Sequence, residues 1–274
     1  MKKWIWIGIC LAAFYFSCKN DDKNVNNVPN ANETSEKFSP EVARLRELMQ
    51  LHPDSAGLRL KLAILLDSVG QPKFALAQVD TLLFADSLNY GLWFTHGQIA
   101  EDIPDTAKAI HSYQKAISIY NSPDALLSLA NLYAEQKNNE CLQICNVILD
   151  MSLGREYDAH CEFITGIYFA RTGDQEKALQ HFNNCIAMNY TYMEAYIEKG
   201  LLYFDRKDYP NALTVFRFAS TVNSLDPDPY YWMGRCYEMM NNKDSALLRF
   251  QQSYSLDKSD PQVKAAVVRM GGKD

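Results

Sequence analysis

The stretch GIYFARTGDQEKALQHF, residues 166–182, decides how the chain is read: Gly166 is followed twelve residues later by Ala178 and four beyond that by Phe182. Gly200 repeats those offsets with Ala212 and Phe216, and Gly234 repeats them with Ala246 and Phe250. Upstream, Gly97 leads to Ala109 and Tyr113, and Ala63 leads to Ala75 and Val79. Ala130 opens another unit, whose second half (Cys141, Cys145) arrives one residue early. The leading small residues Ala63, Gly97, Ala130, Gly166, Gly200 and Gly234 stand 34, 33, 36, 34 and 34 residues apart. A period of that length marks a stacked architecture, in which each unit buries its apolar face against its neighbours.

The pattern resembles the tetratricopeptide repeat (TPR) over residues 56 to about 260. Trp93 lies early in a first helix, and Tyr133, Tyr203 and Tyr237 follow the small residue by three. Gly70 and Gly173 sit at the turn between helices, while Ala116 and Ala219 hold the second small position, taken by Cys185 and Ser253 in the fourth and last units. The resemblance implies an all-α, right-handed superhelix of about fourteen helices, with repeats near 56–89, 90–122, 123–158, 159–192, 193–226 and 227–260. Gly166 and Ala178 are expected where the axes of a pair come closest, so that a bulkier side chain costs about 1–3 kcal/mol. Phe182, Phe216 and Phe250 are expected to fill the gap between one unit and the next, as large buried rings do. Asp105 or Thr106 reads as a cap of a second helix, and Ser122-Pro123 as a capping serine before proline. Ser39-Pro40 and Asp260-Pro261 open end helices over 40–52, with Leu45, Leu48 and Leu51 as its stripe, and 261–270, with Val263, Ala266 and Val267 buried. They complete a domain over 39–270, and an open solenoid needs such ends to cover its terminal flanks.

The composition agrees with a helical chain. Twelve Gly and ten Pro in 274 residues fall below the usual ~12% for the pair. A formal charge of −6 argues against sequence-independent nucleic-acid binding, which needs clustered Lys and Arg.

The first residues read as an address. Met1-Lys2-Lys3 is basic, and Trp4 to Phe16 is an uncharged apolar run of thirteen, too short for the ~20 residues of a spanning helix but of signal-peptide length. Tyr15-Phe16-Ser17-Cys18 resembles the lipobox of Gram-negative lipoproteins. That resemblance implies a signal peptide over 1–17 and acylation of Cys18. With Lys19 following the cysteine, it also implies an outer-membrane address on either face. Loss of residues 1–17 removes two lysines and no acid, taking the formal charge to −8. Residues 18–38, with Asn20, Asn24, Asn26, Asn27, Asn30 and Asn32 and few apolar side chains, read as a flexible tether.

In TPR proteins the first helix of each unit lines the concave surface. Three residues before each leading small residue stand Leu60, Phe94, Leu127, Phe163, Ile197 and Tyr231; one after stand Ile64, Gln98, Asn131, Ile167, Leu201 and Arg235. Residues four apart share a helix face, so these twelve are expected to form a partly aromatic groove. Glu101, Asp102, Glu135, Glu194, Glu198, Asp205 and Glu238 flank it. The expected partner is a hydrophobic or basic protein segment rather than an acidic C-terminus, because only Asn131 and Arg235 stand where a carboxylate clamp would. Self-association through the groove and an accessory role in an envelope assembly machine are the alternatives.

The five histidines (His52, His96, His111, His160, His181) read as isolated. The chain carries no zinc-protease motif, nucleophile elbow or phosphate loop, so no enzyme, metal or cofactor is expected. With Cys18 acylated, five cysteines remain. Cys141 and Cys145 are badly aimed for a mutual bridge; the five read as small apolar residues replacing alanine in the packing, with Cys161 and Cys185, across one helical pair, as the disulfide to test first.

Overall fold

A computed structural model describes residues 39–272. The signal peptide over 1–17, the acylation of Cys18 and the tether over 18–38 lie outside the described residues. Among those described there are fourteen helices and no strand. They run Pro40–Leu51 (α1), Ala56–Ser68 (α2), Pro72–Ala85 (α3), Tyr90–Ala100 (α4), Thr106–Ile119 (α5), Pro123–Glu135 (α6) and Glu140–Asp150 (α7). Then follow Arg155–Thr172 (α8), Gln175–Met188 (α9), Met193–Asp205 (α10), Tyr209–Val222 (α11), Pro227–Met239 (α12), Lys243–Leu256 (α13) and Pro261–Arg269 (α14). Six hairpins from α2 to α13 lie between two end helices. No described helix is long and apolar enough to cross a membrane.

Four of the six second helices start where a short polar side chain accepts a backbone N–H; α3 and α7 start without one. Asp105 accepts from Lys108, Asp174 from Lys177, Asp208 from Asn211 and Asn242 from Ser245. These caps satisfy donors that the first turn leaves orphaned. Ser39 and Asp260 cap the end helices in the same way. Ser122 holds the cap position of α6 without a side-chain bond; Pro123 alone pre-sets that turn. The stripe of α1 differs from expectation. Val42 is its fully buried residue, and Leu51, beside the C-terminal cap, is 72% exposed.

The fourth hairpin begins at Arg155, four residues before the expected boundary, because α8 is eighteen residues long. Ser152 (φ 53°) and Gly154 (φ 107°) turn the chain tightly enough for the helix to start early. The 36-residue step between Ala130 and Gly166 is absorbed there.

Packing of each hairpin rests on one contact inside the unit, and the rings also reach the next unit: Phe216 stacks on Trp232 at 6.1 Å, and Phe250 shares a core with Ala266 and Val267. A Cβ added at Gly97 would stand 2.6 Å from the Tyr113 ring, at Gly166 2.6 Å from Phe182, and at Gly234 2.6 Å from Phe250. At Gly200 it would approach Phe216 closer still. All four rings are fully buried. Ala178, Ala212 and Ala246 are fully buried too, yet the ring four residues later is what excludes a side chain from the glycine. Where the first helix offers Ala63 or Ala130, the second carries the smaller Val79 or Cys145, so volume is conserved across the pair.

Each helix packs on the next in the chain. First helices of neighbouring repeats also approach one another, α6 with α8, α8 with α10 and α10 with α12, and the second helices make no comparable approach. The first-helix side is therefore the inner side of the curve.

Candidate functional site

Eleven of the twelve expected groove positions fall into three groups, and Arg235 is engaged with Phe204 and Glu238. Phe163, Ile167 and Ile197 are buried, at 8%, 1% and 8% exposure, and pack the repeats instead of lining an open face. Phe163 lies between the rings of Phe182 (5.9 Å) and Tyr192 (5.0 Å). Phe94 and Tyr231 are half-buried beside the equivalent rings, Tyr113 at 5.7 Å and Phe250 at 5.7 Å. Leu201 is half-buried against the core around Phe216 and Met233. Leu60, Gln98, Leu127 and Asn131 keep partial exposure, and Ile64 is 54% exposed. Ile64, in the first repeat, is thus the exposed one of the twelve, and Leu201, Tyr231 and Arg235 keep partial exposure in the last two repeats.

An apolar cleft of about 410 Å³ opens where the first turns of α2 and α4 meet the end of α3. Leu60, Leu82, Ala85 and Leu92 form its walls, and Asp86 and Asn89 stand at its rim. The rim groups are satisfied: Asn89 donates to Asp86 at 2.9 Å and caps Leu92. Two glycines 34 residues apart, Gly57 and Gly91, line the cleft. A Cβ at Gly57 would meet nothing within 4 Å, and at Gly91 only Asn89 Oδ1 at 3.4 Å. The same register position carries Asp124, His160, Glu194 and Asp228 in the later repeats. Phe84 and Leu88, on either side of Ala85-Asp86, are 95% and 78% exposed.

Charge on the inner face is ordered by arginines tied to neighbouring carboxylates. Arg171 donates through Nε and Nη2 to Glu135 (2.8 and 3.0 Å) and through both Nη atoms to Glu198 (3.3 Å each), linking α6, α8 and α10. Glu198 is therefore no flanking acid; it is 6% exposed, and burial pushes its carboxyl up to about 7 despite Arg171. Arg235 lies over the Phe204 ring at 5.8 Å and 3.4 Å from Glu238, which also accepts from Arg269 at 2.8 and 2.9 Å. Glu101 accepts the hydroxyl of Tyr113. Asp102, Glu194 and Asp205 are exposed and set the sign of the surface.

His96 is not isolated. Its Nδ1 lies 2.7 Å from Ser112 Oγ and its Nε2 3.0 Å from Asp80 Oδ1. This Ser–His–Asp line has no access for a substrate. Ser112 is fully buried and its Oγ also donates to the Lys108 carbonyl at 2.7 Å. Its role is to tie α3, α4 and α5 together. His160 bonds Tyr192 (2.8 Å), and His181 bonds Glu162 (2.8 Å) and stacks on Phe169. Among the described residues, no group of three or more His, Cys, Asp or Glu is placed to hold a metal ion.

The cysteines lie within the packing of the repeats. All five described cysteines are free and buried. Cys161 faces Cys145, not Cys185: each thiol lies against the other residue's carbonyl oxygen, at 3.7 and 3.8 Å.

Comparison with known proteins places this architecture. A tetratricopeptide-repeat family model matches residues 90–123, which are α4 and α5, and a second matches residues 230–255 within α12 and α13. Those two stretches are tetratricopeptide repeats, and the described residues have the all-α superhelical TPR fold. A crystal structure of a TPR protein from Parabacteroides merdae superposes with a TM-score of 0.69 at 18% identity, over 84% of this chain and 90% of that one. PilW, a type IV pilus biogenesis factor, superposes with a TM-score of 0.59 at 16% identity, over 77% of this chain and 98% of PilW. In sequence, the SGT1 homolog of Bos taurus is 24% identical over 155 residues, 57% of this chain and 40% of the bovine protein. The chain thus spans well under half of that relative, and the likenesses describe fold. TPR proteins generally mediate protein–protein interactions, and the TPR scaffold is typically non-catalytic.

Proposed function

We propose that this TPR protein is a non-catalytic scaffold of the cell envelope, held by acylated Cys18 in the outer membrane, that receives a hydrophobic or basic protein segment on its inner face. The cleft between α2, α3 and α4 carries this reading. It is apolar and open to solvent, Gly57 and Gly91 line it, and Phe84 and Leu88, close in sequence to its lining residues Ala85 and Asp86, are exposed. Contiguous exposed apolar surface of this kind usually marks binding. The exposed acids Asp102, Glu194 and Asp205 favour a basic segment over an acidic one, by charge complementarity that governs encounter and register. Lys2-Lys3, the apolar run Trp4–Phe16 and Ser17-Cys18-Lys19 support the anchor and its address.

Filling the cleft tests the reading without harming the fold. Gly57→Leu and Gly91→Leu put side chains into open space, and replacing helical glycine stabilises by up to about 1 kcal/mol each. The double variant is expected to melt no lower than the natural protein. Chemical crosslinking in the producing cells is expected to recover its partner complex at one tenth of the natural yield or less. Undiminished yield from the filled cleft would overturn the assignment.

A further inference from the structure

The junction between the third and fourth repeats is built unlike the others. Where one repeat meets the next, the second helix carries Val79, Tyr113, Phe182, Phe216 or Phe250, and the following first helix carries Leu92, Ala125, Ala195, Pro229 or Val263. At α7 and α8 both positions are cysteine. Cys145 and Cys161 are 2% and 1% exposed, and their thiols reach each other's carbonyl oxygens at 3.8 and 3.7 Å. A reciprocal contact of this kind puts both side chains in the same narrow gap between two helices. A disulfide needs that closeness of its Cβ atoms. Cys141, one turn earlier on α7, and Cys185 on α9 are buried thiols pushed up to about 11 and about 12 by burial.

We propose that Cys145 and Cys161 are a redox pair that closes to a disulfide and staples the third repeat to the fourth. The oxidant is a small-molecule or protein disulfide, for example glutathione disulfide. One thiol of the pair, once deprotonated, attacks the disulfide and expels one glutathione thiolate, leaving a mixed disulfide. The second thiol, losing its proton, attacks the protein sulfur of that mixed disulfide and expels the second glutathione. Two protein thiols are oxidised by two electrons, and one glutathione disulfide is reduced to two molecules of glutathione. Burial keeps both thiols inaccessible in the closed state and pushes the Cys145 thiol up, towards its protonated form. Reaction therefore waits on local opening at the α7–α8 turn, where Ser152 and Gly154 adopt positive φ, and is slow in the native protein. Once formed, the bond closes a short loop between adjacent repeats and restrains their separation.

The test is peptide mapping of the full chain after incubation with glutathione disulfide, with remaining thiols trapped by N-ethylmaleimide in denaturant. The expected product is a linked peptide joining Cys145 to Cys161, lighter by two hydrogens than its parts, and it persists in Cys141→Ser and in Cys185→Ser. Hydrogen exchange of α7 and the first turns of α8 is expected to slow in the oxidised form by tenfold or more. A dominant Cys161–Cys185 or Cys141–Cys145 link would overturn the proposal. So would complete alkylation of Cys145 and Cys161 after prolonged oxidation, or an unchanged exchange rate in the linked form.

Discussion

Phe216→Ala is expected to lower stability by about 3–5 kcal/mol, the usual cost of removing a buried aromatic side chain, and Gly200→Leu by about 1–3 kcal/mol or more through overpacking. Both substitutions act on one contact, the fully buried Phe216 ring lying over Gly200 with no room for a Cβ. Their combination is expected to be milder than their sum. A leucine on α10 grows into the space that the missing ring leaves on α11. Residues in direct contact show such non-additivity, with coupling of about 0.5–3 kcal/mol. Urea unfolding of the two single variants and the double variant measures it. The unfolding is to be followed by more than one probe, because repeat arrays can lose all-or-none behaviour. Strict additivity would mean that the glycine and the ring do not define the repeat.

Arg171→Met is expected to cost about 3–5 kcal/mol at about pH 8, since it leaves the carboxylate of Glu198 buried and unpaired. The cost is expected to shrink at about pH 5, where a proton neutralises that carboxylate. The sign follows from burial. Glu198 titrates at about 7 in the folded protein, above its ordinary value of 4.5. Between those values the folded state holds a proton that the unfolded chain has released. This group therefore weakens the fold as pH rises through that window and stabilises it as pH falls. In the natural protein the penalty is limited by Arg171 at 3.3 Å; in Arg171→Met the decline extends to higher pH. Arg171→Met/Glu198→Gln is expected to recover most of the loss at about pH 8 and to lose the slope. Urea midpoints at the two pH values check both statements, and an equal loss at both would contradict them.

The register of the repeats was legible because a steric rule enforces it. A ring that excludes every side chain from the opposite glycine leaves the same offset wherever the motif recurs. The same sixteen-residue offset, Gly97 to Tyr113, also runs from Asp80 to His96 and from His96 to Ser112, and it could have announced the buried line that the histidines' scatter concealed. Groove exposure was not legible in that way. Phe163 and Leu127 hold the same register, yet Phe163 is covered by Phe182 and Tyr192, and Leu127 stands in a repeat whose second helix carries cysteines where the others carry rings. Gly57 and Gly91 were visible as a 34-residue pair, but glycine at the start of a helix reads as punctuation until the cleft they line is seen. Cys161 was set against Cys185 because the two stand on the helices of one pair; the contact the structure shows crosses from one repeat to the next, to Cys145.

The claim that a protein partner lies along the inner face is tested most directly by site-specific photocrosslinking in the producing cells. The photoreactive residue is placed at Ile64 or Leu127 on first helices, and at Phe218 or Leu248 on second helices. The inner positions are expected to crosslink a discrete protein, and the outer ones at least tenfold less of it. Equal yields, or crosslinks confined to Phe218 and Leu248, would contradict the claim.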